Sequence, residues 1–140
     1  MDLRQLTPDL AVSPQIQPED VPELARAGFK VLINNRPDNE VGGRESSAAM
    51  QRAAEAAGLA YHYIPFQPGQ ITPDMVDAFA DATAPSAGPA VAYCRSGNRS
   101  AVLWGLTQAG LRPAQDILST AAAAGYDLSG VAPLLGRTRG

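Results

Sequence analysis

The amino-acid sequence predicts an α/β fold of three layers, a central and mainly parallel sheet of four to five strands with helices on both faces. Two observations carry this reading. Short apolar runs alternate along the chain with segments of helical character, the pattern of βαβ units whose sheet is covered on both sides. Glycine or proline also punctuates nearly every junction, so each element is short and bounded. With 140 residues, 45% hydrophobic and 18% charged, the chain is too apolar for disorder and has material for one core. Residues 1–140 are therefore read as a single domain.

The elements follow in order. Leu10-Ala11-Val12-Ser13 is a short apolar strand. Pro18, Glu19 and Asp20 suit the first turn of a helix running to about Ala27, closed by Gly28. Residues 29–34 (Phe-Lys-Val-Leu-Ile-Asn) form a buried strand, and the polar stretch from Asn35 through Gly42-Gly43 is the loop that leaves it. Ser46 or Ser47 caps an alanine-rich helix that Gly58 ends, and residues 59–64 make a third strand. Residues 65–70 (Pro-Phe-Gln-Pro-Gly-Gln) are a connection, because two prolines and a glycine suit neither a helix interior nor a paired strand. Thr72-Pro73-Asp74 opens a helix through about Thr83, and a turn at 84–88 leads to the strand 89–93, which runs straight into Cys94. A helix from Asn98 or Arg99 to about Gln108 and another from Pro113 to near Gly125 complete the pattern, with residues 137–140 expected to fray.

Composition excludes several function classes. The net charge is −3 and the arginines are scattered singly, which argues against nucleic acid as a partner. No apolar stretch is long enough to span a bilayer, so no membrane partner is expected and the chain reads as a soluble cytoplasmic protein. One cysteine, Cys94, and one histidine, His62, make neither a disulfide nor a metal centre, and no cofactor is expected.

The chemistry concentrates in Tyr93-Cys94-Arg95-Ser96-Gly97-Asn98-Arg99-Ser100, between an apolar strand and a helix. Backbone N–H groups curling around a sulfur, with the helix dipole behind them, favour a thiolate and hold an anion beside it. Gly97 supplies the backbone freedom of a tight cradle, Arg99 a planar guanidinium for an oxyanion, and Ser100 a hydroxyl for the sulfur or for the helix cap. In a parallel sheet, ligands sit beyond the carboxyl ends of the strands, so the loops after Asn34, Ile64 and Tyr93 converge on one site. Arg36, on the first of these, is either a second positive charge for an anionic substrate or the partner of Asp38 or Glu40. His62 reads as a solvent-facing or packed strand residue, Trp104 as core, and Phe66 as a pocket wall or a plug at the core edge.

These residues carry three resemblances. The run from Cys94 to Ser100 resembles the active-site loop of rhodanese-like sulfurtransferases, which implies a persulfide on Cys94 and a donor held by the loop amides with Arg95 or Arg99. The order of elements is similar to that of compact dual-specificity phosphatases, which implies a cysteine-phosphatase-like fold. Ile33-Asn34-Asn35-Arg36-Pro37-Asp38-Asn39-Glu40, taken with the cysteine loop, most specifically resembles the beta-lactamase-hydrolase-like, phosphatase-like domain family over roughly residues 3 to 125. Members of that family occur alone or fused to persulfide dioxygenases, which implies such an enzyme as a possible partner.

The sequence departs from the cysteine-phosphatase pattern His-Cys-x5-Arg-Ser/Thr. Tyr93 replaces the histidine, only four residues separate Cys94 from Arg99, and residues 65–70 lack the aspartate that protonates a leaving alcohol. The expectation is therefore a sulfurtransferase that moves sulfane sulfur from a small anionic donor to a thiol acceptor through Cys94. Arg99 acts with Cys94 in catalysis, while Arg95, Ser96, Gly97, Asn98, Ser100 and Arg36 bind substrate. The alternative is a cysteine-dependent phosphatase working through a phosphocysteine.

Overall fold

The computed structural model describes residues 1–136. Five strands, β1 (Arg4–Thr7), β2 (Leu10–Ser13), β3 (Val31–Asn34), β4 (Ala60–Tyr63) and β5 (Ala90–Tyr93), form one sheet in the order β1-β2-β5-β3-β4. All neighbours are parallel except β1, which pairs antiparallel with β2 at the edge. The helices are α1 (Val21–Arg26), α2 (Ser47–Ala57), α3 (Pro73–Ala82), α4 (Asn98–Gln108), α5 (Ala114–Ala123) and α6 (Ala132–Leu135).

Strand alternation divides the core between the two faces. Ala11, Leu32, Val91 and Tyr93 pack against Val21 and Leu24 of α1 and Met50 and Ala54 of α2. On the other face Leu10, Val12, Val31, Ile33, Ala90 and Ala92 meet the helices α3 to α6. Ala90, Val91 and Ala92 of β5 suit its place in the middle of the sheet, where it is covered on both faces, and Tyr93 at its end is fully buried. In α4 every position from Ser100 to Thr107 is buried, so this helix carries no polar face and lies inside the second layer.

The predicted three-layer sheet and its elements are present, with boundaries shifted by one or two residues. Ser46 is the residue that caps α2, its hydroxyl accepting from the Ala49 N–H. Thr72 caps α3 in the same way through Met75. Two elements are additional: β1, a largely exposed edge strand whose only buried side chain is Leu6, and the four-residue α6. Trp104 is core, with Arg112 over its ring at 5.9 Å. Phe66 is a buried core residue rather than a pocket wall, and His62 is exposed on β4. The expected fraying at 137–140 lies outside the described residues. No helix among those described is long and apolar enough to cross a membrane.

Candidate active site

The register lines up the site. Ser13, Tyr93, Asn34 and Tyr63 are the last residues of four parallel strands and are mutual register partners, so the four loops that follow leave one edge together. Main-chain bonds then tie these loops to one another. The Gln15 N–H donates to the Arg95 carbonyl at 3.2 Å, the Asn35 N–H to the Tyr93 carbonyl at 2.8 Å, and the Phe66 N–H to the Asn35 carbonyl at 2.9 Å. The loop after β2, which includes Gln15, therefore joins the three that the sequence singles out.

Cys94 follows β5 directly and is fully buried. Gly97 stands at a φ of +96°, a left-handed conformation that glycine adopts without a Cβ penalty, and this aims its N–H at the Cys94 Sγ over 3.1 Å. Gly97 also caps α4, so the sulfur lies at the positive end of that helix. A side chain here would collide as well: an ideal Cβ on Gly97 falls 2.3 Å from the Tyr126 hydroxyl. Ser96 and Asn98 are exposed, and the Asn98 N–H donates to the Ser96 Oγ at 3.3 Å. Arg95 is exposed at the rim.

Arg99 turns back over the site and is gripped from the loop after β3. Its two terminal nitrogens donate to the two carboxylate oxygens of Glu40 at 2.9 and 2.7 Å, and one of them also donates to the Phe66 carbonyl at 2.8 Å. This bidentate pair holds the Glu40 carboxyl below its ordinary range, chiefly through the Arg99 hydrogen bonds and secondarily through Arg36. Arg99 is raised in turn, mainly by Glu40, with smaller contributions from the Cys94 sulfur nearby. The arginine expected to face the anion is thus fixed in place by a carboxylate, and that carboxylate stays ionised at neutral pH.

Two sequence-predicted binding residues take other positions. The Ser100 hydroxyl neither touches the sulfur nor caps the helix. It is buried and donates to the Asn35 Oδ1 at 2.7 Å, which leaves its single proton committed. Asn35 in turn donates to the Ile64 carbonyl at 2.9 Å, so the pair braces three loops from beneath. Arg36 donates to the Gln15 Oε1 and the Glu40 carbonyl, both at 3.0 Å, and its Nε lies 3.5 Å from the Glu40 carboxylate. The ion-pair reading of Arg36 is the one observed, with Glu40 as its partner. Asp38 instead accepts from the Ser47 N–H at 2.7 Å.

Glu40, Asn35, Gln15 and Tyr126 are the site residues that the sequence did not mark as such. Glu40 lies 59 positions from Arg99, and no local spacing links the two.

Residues 64–72 following β4 contain no aspartate or glutamate. Asp74 begins α3 as an exposed residue. Among the described residues no cluster of three His, Cys, Asp or Glu side chains is placed to hold a metal ion.

A buried cysteine at the carboxyl edge of a parallel sheet, with a left-handed glycine and an arginine at the start of the next helix, defines the cysteine-phosphatase class of fold. The profile of the family described as beta-lactamase hydrolase-like protein, phosphatase-like domain, matches residues 2–111, and the chain belongs to that family. It is 32% identical over 130 residues to a beta-lactamase hydrolase-like protein of Xylella fastidiosa, covering 91% of this chain and 30% of the relative. The chain therefore spans about a third of the length of that relative. A solved structure from Neisseria meningitidis, described as a candidate phosphatase, is 32% identical, covers 99% of both chains and superposes with a TM-score of 0.85. The core catalytic domain of the S. cerevisiae PP-IP phosphatase Siw14 shares the fold at 12% identity, with a TM-score of 0.73 over 99% of this chain and 86% of that one. The family description and the Neisseria structure favour the phosphatase alternative over the sulfurtransferase expectation, for which neither speaks, while Siw14 shows the fold alone.

Proposed function

We propose that this chain is a sulfurtransferase built on a cysteine-phosphatase fold, because fold does not decide chemistry and the site does. One observation carries the reading. The carboxylate that reaches the cysteine loop, Glu40, is bound bidentately by Arg99 and kept ionised, and the loop after β4 offers no other acid. Cleaving an alkyl phosphate ester needs a proton for the departing oxygen. Transfer of a sulfane sulfur does not.

In the first step the Cys94 thiolate attacks the outer sulfur of a thiosulfate-type donor. The donor's S–S bond breaks, its electron pair leaves with sulfite, and Cys94 carries a persulfide. In the second, an acceptor thiolate attacks the outer sulfur and the Cys94 thiolate departs, so no external oxidant or reductant is needed. Arg99 and Arg95 hold the donor's sulfonate, the amides of Ser96, Gly97 and Asn98 stabilise the persulfide, and Arg36 acts at one remove by holding Glu40. With four residues between Cys94 and Arg99 the ring is small, which favours a single sulfur atom over a phosphoryl group. A persulfide-consuming dioxygenase as partner and a cytoplasmic setting, where thiols stay reduced, belong to the same proposal.

The phosphatase reading has its own support in the family description and in the Neisseria relative. The two separate on a single preparation assayed for thiocyanate formation from thiosulfate and cyanide and for hydrolysis of an aryl phosphate. The proposal predicts thiocyanate formation that disappears in Cys94→Ala, with no phosphate release that depends on Cys94. Vanadate-sensitive, Cys94-dependent phosphate release without thiocyanate would establish the phosphatase instead.

A further inference from the structure

Beside the cysteine loop lies a cavity of about 280 Å3 lined by Asp2, Arg4, Ser96, Asn98, Gly125 and Tyr126. Two loop residues, Ser96 and Asn98, form one wall, so its contents lie next to the sulfur's cradle. The opposite wall comes from the edge strand β1. Arg4 crosses Gly125 and is anchored by donation to the Ala124 carbonyl at 3.1 Å, while its other terminal nitrogen reaches the Asp2 carboxylate at 3.1 Å. Tyr126 is 92% buried, and its hydroxyl, pressed against Gly97, has no hydrogen-bond partner among the described residues. A buried hydroxyl without a partner is costly to keep, and it is available to a ligand that offers an acceptor.

We propose that this cavity is the acceptor subsite and that it takes a small thiol bearing a carboxylate, with Arg4 binding the carboxylate and Tyr126 donating to the same polar end while the thiol sulfur reaches the outer sulfur on Cys94. The inference rests on the sulfurtransferase reading for its choice of a thiol. Arg4 supplies the fixed positive charge of the cavity. Asp2 is exposed, lies two residues away along the chain and competes for the same guanidinium, so an incoming carboxylate displaces it. Once sulfite has left, the acceptor's thiolate attacks the outer sulfur along the line the sulfite vacated, with its carboxylate held in the cavity.

The test uses the full chain with thiosulfate as donor and two acceptors, 3-mercaptopropionate and 2-mercaptoethanol, which differ in the carboxylate. The ratio of their kcat/KM values is expected to fall about tenfold in Arg4→Gln, the loss of one charge-assisted contact. In Asp2→Asn the same ratio is expected to rise, because the competing carboxylate is gone. Tyr126→Phe, which keeps the ring, is expected to raise KM for both thiols. Ratios unchanged by both charge substitutions would overturn the subsite. A direct readout keeps this distinct from the sulfurtransferase question: in Cys94→Ser, 3-mercaptopropionate should shift the amide signals of Ser96, Asn98 and Tyr126, and Arg4→Gln should abolish the shift. If those shifts appear but Cys94 never takes up sulfur, the sulfurtransferase reading has failed and the cavity stands as a carboxylate-binding site without the acceptor role. Absence of the shifts in a chain that does take up sulfur refutes the subsite alone.

Discussion

Two loops leave the same edge of the sheet on either side of β3, and they are built to opposite specifications. Residues 94–99 after β5 bring together a buried sulfur, a left-handed glycine whose N–H meets it, the N-terminus of α4 and an arginine that interacts with the sulfur. Residues 64–71 after β4 carry prolines, glutamines and a glycine, and their contact with the ring is the Phe66 carbonyl that accepts from Arg99. The first loop carries two arginines beside the sulfur, while the second fixes one of them through a main-chain carbonyl. The comparison teaches that the first loop brings together the groups around the sulfur, while the second contributes a carbonyl and no carboxylate.

The largest expected effect comes from emptying the first loop of its charge. Arg99→Ala should reduce kcat/KM for thiosulfate by about 100-fold or more, as loss of a preorganised charge at a reacting anion does. Arg99→Lys should restore little, because an ammonium cannot grip Glu40 bidentately and face the sulfur at once.

Next in size is Gly97→Ala. It forces an L side chain into a left-handed conformation and against the Tyr126 hydroxyl, and should lower stability by about 1–3 kcal/mol in urea unfolding. Adding Tyr126→Phe should recover part of the loss, since it removes the atom in collision. Full additivity of the two changes would show that the close approach is not what constrains Gly97.

Glu40→Gln should slow transfer by about tenfold, because Arg99 keeps a hydrogen-bonding partner but loses the charge that fixes it. The same residue gives a pH signature. Its folded value lies below that of the unfolded chain, so its contribution to stability is complete above the ordinary carboxylate range near about 4.3 and is lost as pH falls through the folded value. Thermal unfolding followed from pH 6 to pH 3 should therefore show an acid loss in the native protein that Glu40→Gln largely lacks. Identical profiles would mean that the Arg99 pair contributes nothing in solution.

The smallest effect belongs to the second loop. Gln67→Asp puts a carboxylate where the loop has none and should leave thiosulfate transfer within about twofold, since that step uses no acid. A large gain in aryl phosphate hydrolysis from this one change would sharpen the contrast by showing that the scaffold lacks only the proton donor.

Much of this was legible along the chain. Strands β2, β3 and β5 are continuous apolar runs, the helix starts carry serine, threonine or proline, and the cysteine loop announces itself because two arginines around a Ser-Gly turn serve no core. β1 was not legible: its residues are mostly exposed, with Leu6 as the single buried side chain, and such an edge strand has no periodicity to read. α6 is one turn long and follows a glycine-containing turn, too short for a helical pattern. The site's missing parts share one cause. Glu40 meets Arg99 across 59 positions and Ser100 meets Asn35 across 65, contacts that exist because parallel strands bring their carboxyl ends to one edge. Sequence spacing offers Asp38 or Glu40 as the partner of Arg36, and the Glu40 pair does form, while the shorter bond of Glu40 runs to Arg99.

The central claim is that Cys94 carries sulfur, and intact mass spectrometry of the reduced protein before and after thiosulfate tests it most directly. The account predicts a gain of one sulfur atom that cyanide removes and that Cys94→Ser never acquires. An unchanged mass in a preparation that releases phosphate from an aryl ester through Cys94 would contradict it and make the phosphatase resemblance the better guide to function.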